Sequence, residues 1–105
     1  MLAPELFEAI DKAHDELSVS TLDDVQRRTA FTWAGRALVA YEFFDQTGDI
    51  RWLLDGAEYA HEALEHAALH HDPDVLDSVR PPLLHAAAHA NAVFNYLAGI
   101  PGIAA

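Results

Sequence analysis

The sequence has no cysteine, which excludes disulfides, thiolate metal sites and cysteine nucleophiles together. Lysine occurs once, at Lys12, and lysine plus arginine total 6 against 17 acidic residues, a net charge of −11 with histidine neutral. A chain so poor in positive charge is repelled by phosphate backbones, so no nucleic-acid partner is expected. No apolar run approaches the roughly 18 residues of a membrane span, and no membrane partner is expected. No basic-then-apolar leader with a small-residue cleavage site opens these residues, and the expected setting is the cytoplasm. The five glycines are scattered and form no phosphate-cradling loop. Ser18, Ser20 and Ser78 are the only serines. Each sits near an expected helix end, where capping is the ordinary role, and none lies in a G-x-S-x-G elbow. No stretch alternates with period two for long enough to suggest a strand.

What is present is helical. Twenty of the 105 residues are alanine, the best helix former. The chain is 51% hydrophobic, too apolar to stay disordered and long enough for one helical domain over residues 1–105. Turn signals cut it into four segments. The first covers 4–17, with Pro4 at its first turn and Leu6, Ile10, Ala13 and Leu17 on one face. Ser18 to Thr21 is a break. A second helix, capped by Thr21 or Asp23, runs to about Gln46. Thr47-Gly48-Asp49 is a stop and the next cap. A third helix spans about 50–71, and Asp72-Pro73-Asp74 is a turn. The fourth segment ends near Ala98 before Gly99, Pro101 and Gly102. Pro81-Pro82 are expected either to split it or to mark its true start near Arg80. Short connections predict an all-α, four-helix antiparallel bundle.

Helical wheels predict the faces. On the third helix, Ile50, Leu53, Leu54, Ala57, Leu64 and Ala68 make the core side, with His61 at its margin. Asp55, Glu58, Glu62 and Glu65 make an acidic side. Trp52, Tyr59, His66 and His70 make a third side nearly opposite the core. The fourth helix separates Leu83, Ala86, Ala90, Val93 and Leu97 from His85, His89, Ala92 and Tyr96. The second helix is apolar nearly all round. Leu22, Ala30, Trp33, Ala37, Ala40 and Phe44 form one stripe, Val25, Val39 and Phe43 another, and Phe31 and Leu38 a third. That surplus predicts self-association or a protein partner.

Phe44-Asp-Gln-Thr-Gly48-Asp49, followed by Ile50 to Leu64 with its Ala63-Leu64 pair, resembles a tetratricopeptide-type helical hairpin. In that likeness Gly48 is the turn, Leu53 and Ala60 are packing positions, and Asp72-Pro73 is the exit turn. The likeness covers about 34–73, and residues 83–99 resemble a further first helix ending at Gly99. It implies TPR-like helical hairpins in a protein-interaction scaffold rather than an enzyme, with dimerisation completing the stack.

The seven histidines raise the question of metal. Glu58-Tyr-Ala-His61 is an E-x-x-H unit of the kind that di-iron helical bundles use. Glu65 lies on the same side, and Glu42 could approach from the second helix. A ferritin-like site built on Glu58, His61, Glu65 and Glu42, holding iron or zinc, requires a symmetric dimer because the chain has one such unit. The pairs His66/His70 and His85/His89, each at i, i+4, could each supply two ligands to zinc or nickel. As titrating groups on contact faces, these imidazoles are expected to weaken self-association below about pH 6. Between Ala37 and Val79 lie ten acids and one base, Arg51, a pattern that also suits a small acidic inhibitor or antitoxin-like protein bound to a basic target. The leading expectation is a non-enzymatic interaction module, self-associating as a homodimer or larger, with no cofactor. Its expected contact residues are Trp52, Tyr59, His66, His70, His85, His89 and Tyr96.

Overall fold

The structure is a computed structural model, and it describes residues 4–19, 25–69 and 73–99. Helices α1 (Pro4–Val19), α2 (Val25–Thr47), α3 (Arg51–Ala68) and α4 (Pro73–Ala98) account for nearly all of them, with no strand among the described residues. Each helix packs on two neighbours, α1 on α2 and α4, and α3 on α2 and α4, so the four close into a ring. All neighbours are antiparallel. Trp33 meets Tyr59 and Phe43 meets Trp52 across α2 and α3. His14 meets Phe31 across α1 and α2. Glu5, in the first turn of α1, reaches His85 and His89 in the middle of α4, and Lys12 lies with Pro81 and Pro82 nearer its start. The fold is the all-α four-helix bundle that the turn spacing predicts.

Small side chains set how closely the helices approach. Ala30, Ala34, Ala37 and Ala40 on α2, and Ala57, Ala60, Ala63 and Ala67 on α3, are buried along with Gly56. Leu6, Ile10 and Leu17 of α1, Phe44 of α2, Leu53 of α3, and Val79 and Leu83 of α4 fill the space between. Tyr41 crosses the middle of the bundle. Its ring lies against Gly56 so closely that a Cβ there would overlap it, and its hydroxyl donates to the Ala86 carbonyl at 3.5 Å. Burial pushes the Tyr41 phenol well above its ordinary value of 10.0, because a phenolate has nothing to solvate it there.

The boundaries differ from expectation in several places. α3 runs Arg51–Ala68 with Leu69 as its cap, short of the expected 71, and Pro73 and Asp74 of the expected turn belong to α4. α1 extends to Val19, through the break expected from Ser18. α4 is continuous from Pro73, with Pro81 and Pro82 inside it, so the prolines neither split the helix nor mark its start. Two N–H groups are missing, those that would bond the carbonyls of Asp77 and Ser78. Both residues are exposed, so water can reach that side of the helix and the cost of the lost bonds falls. The caps expected at Thr21 or Asp23, Leu22 of the α2 stripe, Asp72 of the exit turn, and Pro101 and Gly102 lie outside the described residues.

Candidate functional site

The α2–α3 corner is built by local chemistry. Gly48 has φ of +72°, a left-handed conformation that costs glycine little. Its N–H donates to the Phe44 carbonyl at 2.8 Å, ending α2. The Asp49 carboxylate then accepts from the Arg51 N–H at 3.0 Å and from the Arg51 guanidinium at 2.7 Å, serving the open N–H groups of α3. The arginine holds this carboxyl down at about 2. The corner therefore carries a fixed pair rather than a free charge, and it brings Ile50 beside the end of α4.

An open groove of about 650 Å³ lies there, lined by Phe44, Ile50, Val93, Tyr96 and Leu97 with Gly48 and Ala92. Its origin is a mismatch of helix positions. α1 starts at Pro4, where its first turns meet Leu38 and Glu42 of α2 and its Glu5 meets His89 of α4. α2 continues to Thr47 and α4 to Ala98, so the described part of α1 does not cover their last turns. Leu97, expected in the core, is 50% exposed, and Tyr96 at the rim is 73% exposed. Val93 is half-buried. Gly99, with φ of +69°, closes α4 by donating to the Tyr96 carbonyl.

The expected contact residues do not form one surface. Trp52 and Tyr59 are half-buried and pack against the core. Trp52 leans on Phe43 with centroids 4.9 Å apart, and Tyr59 on Trp33 at 5.5 Å. They are therefore at the edge of the α2–α3 seam, not opposite it. Relative to the wheel, the buried side of α3 is turned by roughly 70° toward them. Leu54, Ala68 and His61 are correspondingly exposed. His66 is half-buried, with Glu62 one turn away at 3.9 Å. His85 and His89 stack at 5.8 Å, and Glu5 lies 3.9 and 3.6 Å from them, so protonation of either would place a positive charge beside a carboxylate. His70 lies outside the described residues. Among the described members of the set, Tyr96 alone stands on an open apolar surface.

The alternative metal set is not brought together. Glu58, His61 and Glu65 lie on the outer side of α3, whereas Glu42 lies beside Phe7, Glu8 and Asp11 at the α1–α2 seam. Among the described residues no three histidine, aspartate or glutamate side chains are grouped so as to hold a metal ion. The outer side of α3 does present Asp55, Glu58 and Glu65 as an exposed acidic strip. Among the described residues no helix is long and apolar enough to cross a membrane.

Sequence reasoning missed that Leu97 is exposed, and that Ile50 and Val93, which do pack against the core as expected, also line a groove. Each reads as core on a wheel, and the offset of α1 along the bundle leaves no mark in local periodicity. No family model matches the chain, and no curated protein or solved structure matches it.

Proposed function

We propose that this protein is a non-enzymatic protein–protein interaction module, docking through the groove at the α2–α3 corner. The observation that carries the reading is Tyr96, 73% exposed at the rim of an open apolar groove. Exposed apolar concavities rimmed by an aromatic are where partner side chains anchor. The resemblance of residues 34–99 to tetratricopeptide hairpins supports the same class. The acidic strip on α3 supports a second reading, a small acidic protein held by a basic target.

Photo-crosslinking from inside the native cell separates them. A photoreactive phenylalanine analogue at position 96 is expected to give protein adducts, and the same analogue at 58 is not. Adducts from 58 alone would replace the groove reading by the acidic one. No adduct from either position would remove both.

A further inference from the structure

The charge of this protein is unevenly placed along its chain, and the groove lies at the end of the part that has none. All 17 acidic residues lie at or before Asp77, and the last arginine is Arg80. From Pro81 to Gly99 there is no Asp, Glu, Lys or Arg, yet much of this stretch faces outward. Leu84, Ala88, Asn91, Ala92 and Tyr96 are exposed. A solvated helix face normally carries charge, and the cores of protein interfaces are the surfaces depleted of it and enriched in tyrosine. His85 and His89 are the imidazoles of this stretch and Tyr96 its phenol. The carboxylate reaching the imidazoles is Glu5 of α1, with Glu8 and Lys12 beside His85.

Resting on the interaction-module reading, we infer that the occupant of this surface is a second copy of the chain, docked α4 to α4 about a two-fold axis. The argument is first electrostatic. Two bodies of −11 each repel, and the repulsion is least where they meet on the face from which fixed charge is missing. The second argument is geometric. The exposed α4 positions 84, 88, 92 and 96 recur at i, i+4 and form a seam. An antiparallel two-fold between 88 and 92 places Ala88 against the partner's Ala92, so the helices can approach closely. It places Leu84 against the partner's Tyr96, at the rim of the partner's groove. Each groove is then closed by a side chain of the other copy, so neither is complete alone.

Sedimentation equilibrium on the purified full chain tests this, from about 1 µM to about 100 µM, where interfaces of this size dissociate if weak. The wild type is expected to show a monomer–dimer equilibrium in that range or a dimer throughout. Leu84→Lys and Tyr96→Glu are each expected to weaken the dimer at least tenfold, and Leu54→Glu on the outer side of α3 to leave it unchanged. All three positions are exposed, and unchanged helical circular dichroism confirms folding. An equimolar mixture of Leu84→Lys with Tyr96→Glu is expected to recover association, because the two new charges face each other only in this register. A wild type monomeric throughout would overturn the second-copy occupant. If position 96 still crosslinked another protein in cells, the module reading would stand without it. A dimer lost on Leu54→Glu but kept in the α4 variants would overturn the surface, and a mixture that stays monomeric would overturn the register.

Discussion

Gly56 and Tyr41 can be read only as a pair. Alanine is a better helix former than glycine by about 1 kcal/mol, so on propensity Gly56→Ala stabilises α3. The Tyr41 ring fills the space the new Cβ needs, and overpacking a buried site costs about 1–3 kcal/mol. We expect net destabilisation by urea denaturation, and we expect it to disappear when Tyr41 is first cut to Leu. The same tyrosine sets an alkaline limit. Its folded pKa lies above its unfolded value of about 10, so the unfolded chain loses that proton first as pH rises. The contribution is therefore complete below pH 10 and falls above it, by about 1.4 kcal/mol per pH unit until the folded phenol ionises. Tyr41→Phe is expected to cost under about 1 kcal/mol at neutral pH, since its one hydrogen bond is long, and to remove that part of the alkaline loss. Denaturation midpoints at pH 8 and pH 11 would show both. Neither role is legible in sequence. Tyr41 falls beside the predicted stripes of α2, and Gly56 is silent on a wheel that weights large apolar groups.

At the scale of elements, the corner at 47–49 was the most legible part of the chain. Threonine, glycine and aspartate each have one ordinary use there, and the structure uses all three: Thr47 donates to Phe43, Gly48 takes positive φ, and Asp49 receives α3. Gly48→Ala forces a Cβ into a left-handed turn and is expected to cost about 1–2 kcal/mol. The Asp49 carboxyl is held low, at about 2, so its cap and ion pair persist down through pH 4 and are lost only as pH falls to about 2. A ¹³C titration of that carboxyl is expected to have its midpoint near 2; a midpoint near 4 would mean the pair with Arg51 does not persist in solution. The prolines of α4 were the least legible. A proline pair reads as a break, but the break depends on whether water reaches the freed carbonyls, which is a tertiary fact. Replacing the exposed Pro81 by Ala restores the bond to Asp77 and is expected to raise stability by about 1–3 kcal/mol. The face of α3 was misjudged for a related reason. Leu54 and Ile50 drew the expected core toward themselves, whereas Gly56, Ala60, Ala63 and Ala67 form the buried side because small residues let α2 come close.

For the whole molecule, the helix count and antiparallel order follow from turn spacing, but the candidate site does not. Among the described residues it lies where α2 and α4 run on past α1, which leaves Leu97 exposed and makes Val93, still packed on the core, a wall of the groove. Of the expected contact residues, Trp52 and Tyr59 place much of their area on the α2–α3 seam, which leaves Tyr96 as the proposed anchor. Surface, charge and groove then converge on one end and one side of the bundle. Hydrogen exchange of the full chain, compared at low and high protein concentration, tests that convergence most directly. The account predicts that exchange slows on concentration along 84–99 and at the 44–51 corner, with 54–65 on the outer side of α3 unchanged. Slowing confined to 54–65, or none at 84–99, would contradict it.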